Sequence, residues 1–537
     1  MMISLSFVFL SFGICGVVAI IIFYLSKYRL YKAASKFTGP PALPFLGNCH
    51  YFAGSTQDIL NKIMELFNSY PSPFRVWLGS KLFFAVHDAE QIKTILLSPK
   101  AIEKEELYKM IRPWLGTGLF SAPASKWRVH RKLIVPTFNQ KILESFVEVF
   151  SQQSEIMIKQ MKIEINGDEF DVFNYVSLCT LDIICETAMG VSVHAQTDGD
   201  PSYVESAKKM FEIVFSRMFK VWLHPDIIFY CTNLAKQQQQ CLKYLHGVTN
   251  DVIKKKKAEL LLLKNKKLNT IEMPDNCGPT RKAFLDLLME LSNNGIKFTD
   301  EELREEVDTM MIAGNDTTAS VNCFVILMLA NYPEIQEKCF QELCDIYGDD
   351  IQADVLIKHE DLNRMEYLER VIKETMRLFP VGPILVRHVT DDLDIGNCQI
   401  KFYLIINLSI NNRFYNLTGD YTLPKGSSVV LGIMKLHRSP EHWIDPLKFN
   451  PDRFLPEETR HPFCYIPFSA GPRNCLGFKY AMMAMKVLIA TLLRHYVIKK
   501  NNIQNIQDIK LKVDLMLKPV VPIKIKIEKR QIIHCKS

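Results

Sequence analysis

The stretch Phe468-Ser469-Ala470-Gly471-Pro472-Arg473-Asn474-Cys475-Leu476-Gly477 decides how the whole chain is read. A thiolate that ligates a metal has to be kept charged, so it needs amide donors, positive surroundings and a helix N-terminus close by. This segment offers all three. Gly471 and Gly477 let backbone approach a flat ligand, Arg473 brings charge for an anionic group, and an unbroken helical pattern runs from about Phe478 to Leu493. The 14 cysteines are otherwise scattered without a CxxC pair or a repeating spacing, which argues against a zinc ribbon and a disulfide framework. Outside Cys475 they read as inert buried residues in a reducing compartment.

Working outward, Glu374-Thr-Met-Arg377 places an acid and a base at i,i+3 on one helical face, and Phe449-Asn-Pro451-Asp-Arg453-Phe454 follows downstream. Trp127-Arg-Val-His-Arg131 sets an aromatic and a cation one helical turn apart, and Arg387 is a further candidate cation. Upstream, Glu306-Val-Asp308-Thr-Met-Met-Ile-Ala313-Gly314-Asn-Asp316-Thr317-Thr318 lies in a long helical pattern. That helix is predicted to start at Thr299, with Glu302 completing a capping box and Phe298 and Leu303 available as a staple. It can run to Asn331, just before Pro333, which makes it about 50 Å long. Gly314 in its interior costs roughly 1 kcal/mol, and Asp316, Thr317 and Thr318 are poor helix formers. A disfavoured cluster in mid-helix marks a site.

The Phe468–Gly477 segment resembles the haem-binding loop of the cytochrome P450 superfamily, FxxGxRxCxG. Five fixed positions at average frequencies make a chance match in a chain this long less than about one in a thousand. The remaining elements resemble that family's ExxR, PxRF, WxxxR and A/G-G-x-D/E-T-T elements and occur in the same order. The run Glu306 to Thr318 is also similar to the signature of P450 family four and its insect relatives, with departures at Met310, Ile312, Ala313 and Asn315. The resemblance implies a mainly α fold with small β-sheets, and haem b held by Cys475 as axial iron ligand. It implies further cofactor contacts from Phe468, Gly471, Arg473, Gly477, Trp127, Arg131, Arg387, Ala313 and Gly314. Glu374, Arg377 and Arg453 would form the core on the cysteine side, three paired charges that specify structure more than they stabilise it. Asp316 and Thr317 would deliver protons. Family members with Glu in place of Ala313 can form an ester to haem, which Ala313 cannot.

Hydrophobic residues make up 48 % and charged residues 23 % of the 537, far from the composition of disorder. A net charge of +7 without a basic stripe argues against nucleic acid as a partner. From Met1 to Ser26 there is no charged residue, and Ile3 to Leu25 would span roughly 34 Å as a helix, enough for a bilayer core of about 30 Å. Charges follow it at Lys27, Arg29, Lys32 and Lys36, the pattern of an uncleaved anchor with a cytoplasmic body. The predicted organisation is a single N-terminal transmembrane helix over 1–26, a basic and proline-rich hinge over 27–47, and a monooxygenase domain over 48–537. Strand-like runs occur near Phe74 to Val86 and after Val389, and Val520 to Ile527 reads as a terminal hairpin strand.

The resemblance implies NADPH-cytochrome P450 reductase as partner, because no flavin or nicotinamide motif occurs here. It also implies cytochrome b5 as a second donor, the endoplasmic reticulum membrane as location, and O2 plus a lipophilic molecule as substrates. Tyr108 to Phe120 and Phe211 to Trp222 are apolar stretches in which substrate contacts are expected. Two other classes stay open: a haem-thiolate isomerase or dehydratase acting on peroxides, and a non-catalytic haem-binding membrane protein. Intact Asp316-Thr317 speaks against both.

One segment fits none of this. Residues 397–419 separate two halves that in the family lie almost side by side. Of these 23 residues, 14 are Ile, Phe, Tyr, Asn or Lys, and none is Asp, Glu, Ala, Val or Pro. That composition resembles translated non-coding DNA. A GT donor fits at Gly396-Asn397 and an AG acceptor at Thr418-Gly419, so that removal keeps the frame; a retained intron and a genuine loop are the two readings. The segment is expected as an exposed excursion far from the chemistry.

Overall fold

The structure, a computed structural model, describes residues 14, 18, 21–269, 283–293, 298–348, 351, 355–401 and 416–531. Helix dominates. The helices include α1 (Thr56–Ser69), α2 (Ala89–Leu97), α3 (Ala124–Ile134), α4 (Gln140–Gln160), α5 (Val172–Ile184), α6 (Ser202–Phe219), α7 (Asn233–Asn269), α8 (Asp300–Asn331), α9 (Pro333–Tyr347), α10 (Glu366–Leu378) and α11 (Phe478–His495). The strands are β1 (Phe74–Leu78), β2 (Lys81–Val86), β3 (Phe170–Asp171), β4 (Leu385–His388), β5 (Leu393–Lys401), β6 (Asn416–Leu423), β7 (Ser428–Leu431), β8 (Tyr496–Lys499), β9 (Leu511–Asp514), β10 (Met516–Pro519) and β11 (Lys524–Lys529). They form a four-stranded sheet in the order β1-β2-β7-β4, a three-stranded sheet β3-β11-β8, and the hairpins β5-β6 and β9-β10.

Helix α8 is the axis of the body, packing on α5, α7, α10 and α11. It begins as its caps dictate: the Thr299 side chain accepts from the Glu302 amide while the Glu302 carboxylate accepts from the Thr299 amide. It ends at Tyr332, beyond which Pro333 can only start the next helix. Two described helical stretches, 172–189 and α8, are long and apolar enough to cross a bilayer, yet 72 % and 83 % of their apolar windows are buried, which makes them core helices.

Residues 21–34 are helical, with Ile21, Ile22, Leu25 and Tyr28 exposed. The end of this helix sits on the body: Tyr31 stacks on Trp77 at 4.4 Å, and Phe37 packs on Phe84 and Tyr421. The stretch 27–47, expected as a hinge, is therefore helical and docked over its first third. Of the predicted span 1–26, residues 1–13, 15–17, 19 and 20 lie outside the described residues.

The terminal hairpin sits earlier than the sequence indicated, at β9-β10, and the last strand starts at Lys524 because Pro522 has no amide to give a ladder. In the anomalous segment, 397–401 and 416–419 extend the β5-β6 hairpin as paired backbone, Asn397 opposite Asp420 and Lys401 opposite Asn416. Residues 402–415 lie outside the described residues.

Candidate active site

The Phe468–Gly477 segment is a tight loop. The Cys475 amide donates to the Phe468 carbonyl at 2.9 Å, and the Asn474 amide to the Gly471 carbonyl at 3.1 Å. Gly471 has φ +71°, and a Cβ there would stand 2.1 Å from the Leu96 carbonyl oxygen, so no other residue fits. Helix α11 opens directly after Gly477. Cys475 bears accessible surface although protein atoms surround it, so that surface is the wall of an internal space. Burial pushes its thiol pKa up, while the Gly477 amide and the Arg131 charge pull the other way. Protein groups alone do not ionise this sulfur, but a coordinated metal would.

Cations gather beside it. The Arg131 guanidinium donates to the Asn474 carbonyl at 3.0 Å and to its Oδ1 at 2.7 Å, holding α3 against the loop. Arg473 lies over the Trp127 ring at 4.8 Å and donates to the Ala122 carbonyl at 2.8 Å, but its Nε and Nη1 are buried with no partner. Burial and the neighbouring Arg387 lower its pKa to about 10. Arg387 is 4 % exposed on β4 and donates to its neighbour's carbonyl. Lys104, which the sequence reading did not single out, lies close enough to Arg387 and Arg473 to feel both; burial first, then their charges, push its pKa well down. Its ammonium sits 3.6 Å from the centre of the Phe120 ring. Buried cations facing one another await an anionic partner.

On α8, Met311 and Ile312 are buried, whereas Ala313 is exposed and Gly314 and Thr317 are half-exposed. One turn of a core helix thus borders open space. The Thr317 hydroxyl donates to the Ala313 carbonyl at 2.6 Å, a back-bond that competes with the helical amide for the same acceptor. A Cβ on Gly314 would come within 2.4 Å of Ile184, so α5 can pack this closely only on glycine. Asp316 is buried and pairs with Lys518 of β10 at 3.0 Å.

Glu374 is the hub on the cysteine side. Its carboxylate takes two bonds from Arg377, at 2.7 and 2.8 Å, one from Arg453 at 3.3 Å and one from the Asn450 amide at 2.9 Å. Arg377 also donates to the carbonyls of His437 and Pro446. Burial pushes His437 down to about 3, so the ring is neutral, and its Nε2 accepts from the Ile466 amide at 2.9 Å. Ile466 precedes Phe468 by two residues, so the charged hub is wired to the cysteine loop.

Contacts between distant motifs were less legible. His130 Nδ1 meets Glu306 at 2.6 Å, and the other Glu306 oxygen accepts from the Leu119 amide, tying α3 and the 112–123 loop to α8. Asp308, driven to about 7 by burial, accepts from Thr249 at 2.5 Å. From the two apolar stretches marked for substrate contact, Trp114 and Phe211 meet at 5.2 Å.

The profile of the cytochrome P450 family matches residues 38–412 and 411–527. The chain belongs to the cytochrome P450 family. It is 37 % identical over 521 residues to Cytochrome P450 4c3 of Drosophila melanogaster, covering 95 % of this chain and 92 % of that protein. It is 37 % identical over 527 residues to Cytochrome P450 4c21 of Blattella germanica (97 % and 99 %) and 36 % over 499 residues to Cytochrome P450 4V2 of Homo sapiens (91 % and 89 %). It thus falls with family four of the P450s and its insect relatives, and its class is monooxygenase oxidoreductase. The family implies haem with cysteine ligating the iron, and this site fits such a group. Cys475 is accessible from within, the Arg473 nitrogens are donors without acceptors, and an anionic propionate would relieve the mutual repulsion of Lys104, Arg387 and Arg473.

Proposed function

We propose that this P450 inserts one oxygen atom of O2 into a lipophilic substrate, with electrons delivered from NADPH by a partner reductase and cytochrome b5 as a second donor. The balanced reaction is RH + O2 + NADPH + H+ giving ROH + NADP+ + H2O. Long-chain fatty acids and related lipids, hormones, odorants and xenobiotics are the substrate classes. The observation that carries this reading is an accessible, glycine-bracketed Cys475 beside the closely set cations Arg387, Lys104 and Arg473, the last with two nitrogens buried without a hydrogen-bond partner. When bound, haem b would supply the redox chemistry that activates dioxygen, with the Cys475 thiolate ligating its iron.

The protein's part is to hold and to protonate. Trp127, Arg131, Arg387, Arg473 and Lys104 would hold the propionates, and Phe468, Gly471 and Gly477 would shape the cysteine side. Ala313 leaves room on the opposite helix, beside Gly314, which lets α5 pack against that turn. Thr317 presents a hydroxyl that can pass on a proton while its own hydrogen bond returns to Ala313. Asp316, one residue earlier, is the acid that supplies it. Trp114 and Phe211 exclude water from the substrate space. Thr317→Ala should retain haem and substrate binding yet divert electrons to hydrogen peroxide, since positioned proton transfer is typically worth roughly 10²- to 10⁴-fold. Product formed per NADPH equal to wild type would remove Thr317 from the mechanism.

Haem should be held without a covalent side-chain link, because Ala313 stands where an ester-forming Glu occurs in relatives. Acidified organic solvent should extract it completely; haem remaining on the polypeptide would contradict this.

The protein is anchored in the endoplasmic reticulum membrane by one N-terminal helix, with the catalytic domain cytoplasmic. Lys27, Arg29, Lys32 and Lys36 following the apolar run, and exposed Ile21, Ile22 and Leu25 on the helix 21–34, support this.

Residues 397–419 are an insertion of retained-intron origin. In its support, the two matched blocks of the family profile meet at 411–412, inside the segment. Without it, the paired residues Asp394 and Thr422 would be joined by Ile395, Gly396, Asp420 and Tyr421, a short hairpin turn in which Gly396 already has φ +86°. Sequencing cDNA across codons 390 to 425 should find transcripts that lack it. If every transcript retains it, the segment is a genuine loop.

A further inference from the structure

The hairpin β9-β10 brings a line of buried charge to Asp316. Lys518 and Lys512 stand directly opposite each other in the hairpin register, a pairing that like charges disfavour. Carboxylates on three elements offset it. Lys518 Nζ lies 3.0 Å from Asp316 Oδ1, and Lys512 Nζ lies 3.6 Å from Asp514 Oδ2 and 3.7 Å from Glu212 Oε1 on α6. Signs alternate along Asp316, Lys518, Asp514, Lys512 and Glu212. Side-chain exposure is 5 % and 6 % at the inner pair, 0 % at Asp514, then 19 % and 35 % at Lys512 and Glu212. The line therefore runs from the oxygen-side helix to solvent beside α6. The rings of Phe211 and Phe173, 5.4 and 5.9 Å from the Lys518 ammonium, keep its inner end dry.

Stability does not explain this arrangement. Both carboxylate oxygens of Asp514 and Oδ2 of Asp316 are buried without a hydrogen-bond partner, which costs free energy. Buried carboxylates held by charge yet short of hydrogen bonds occur at sites that handle protons as well as in structural ion-pair networks.

We propose that the hairpin is the solvent side of the proton supply to Asp316, with Lys518 as its positioning residue and Asp514 as the group that exchanges protons with solvent through Lys512 and Glu212. The inference rests on the proton role assigned above to Asp316. In one delivery, the O–H bond of the Asp514 carboxyl breaks as an O–H bond forms on the Asp316 carboxylate, and Asp316 passes that proton on toward Thr317. Lys518 keeps its ammonium charge throughout and holds Asp316 in place, while Asp514 is refilled from solvent. One proton enters at Asp514 and one leaves from Asp316, so no group of the line ends with a changed charge.

Asp514 is suited to this exchange. Burial lifts its pKa; Lys518 and Lys512 oppose the rise, Asp316 and Glu212 add to it, and the result is about 6. Lys518 is opposed by burial but held above its ordinary value by Asp316 and Asp514. The other titratable groups near Asp316, Tyr203 and Cys323, are both kept protonated by burial. A raised carboxyl favours the fold below its unfolded value, and that stability is lost as pH climbs through 6. Asp514→Asn, which cannot ionise, should not lower Tm at neutral pH.

The test uses the full-length haem-loaded chain with a reductase, reading product per NADPH on both sides of pH 6 and the infrared band of protonated carboxyl groups over the same range. Asp316→Asn and Lys518→Met should each lower product per NADPH about tenfold or more, and Lys518→Arg should restore most of it. Asp514→Asn should abolish the inflection near pH 6 and remove one carboxyl band that titrates there, with Tm unchanged. Wild-type coupling in Lys518→Met and Asp514→Asn, with Asp316→Asn uncoupled, overturns the hairpin route alone. Wild-type coupling in Asp316→Asn overturns the Asp316 reading and the route with it.

Discussion

Purified Cys475→Ser should give no red-shifted thiolate band when reduced and exposed to CO, whereas the wild-type protein should give it in full. Among the ten cysteines described, Cys475 is the one enclosed by protein yet accessible, next to a helix N-terminus and within the field of Arg131. Cys179, Cys185 and Cys339, by contrast, are buried in apolar surroundings that push their thiols far up, beyond useful ionisation. Serine preserves shape and removes the sulfur. The effect expected is loss of turnover with little change in the fold, because the loop is held by backbone bonds from Cys475 to Phe468 and from Asn474 to Gly471 that serine leaves intact. An unchanged CO spectrum would remove Cys475 as the ligand.

Glu374→Ala should cost about 3–5 kcal/mol of stability, the range for breaking a buried ion pair by removing one partner. Arg377 is wholly buried and Arg453 nearly so, and both would be left as uncompensated charge. Because typical proteins have only about 5–15 kcal/mol to lose, most of the variant should be recovered without haem or as aggregate. Glu374→Gln, which keeps the acceptor atom but not the charge, should fall between. The check is haem-to-protein ratio together with a denaturant midpoint. A Glu374→Ala protein within about 1 kcal/mol of wild type would show that the hub does not hold the loop, despite its connection through His437 to Ile466.

Local signals made much of this legible in advance. Helix α8 announced both ends, through Thr299 with Glu302 and through Pro333, and the glycines of the cysteine loop pointed to a close approach that Gly471 makes against the Leu96 carbonyl. The ExxR spacing put Glu374 and Arg377 on one face, and a bidentate pair is what the geometry allows there. Long-range partners were not legible. Nothing local in Lys518 or Lys104 marks them, since Lys518 is a lone lysine in an apolar run and Lys104 stands among Glu103, Glu105 and Glu106 like a surface charge, and only the fold sets Lys518 against Asp316, 202 positions away in sequence. His130 and Glu306 were quoted as neighbours of motif residues, yet their meeting depends on how α3 crosses α8. The C-terminal hairpin was placed late although Leu511 to Lys518 alternates at least as regularly as Val520 to Ile527, where Pro522 denies a ladder bond.

Turnover under labelled dioxygen tests the monooxygenase assignment most directly. Purified haem-loaded protein, NADPH, a reductase and a panel of lipids and xenobiotics would be incubated under 18O2, and the oxygen in the product weighed by mass spectrometry. The account predicts a hydroxylated product carrying one labelled oxygen atom, formed only when reductase and NADPH are both present. Rearrangement of a peroxide without reductase, or product oxygen drawn from water, would contradict it.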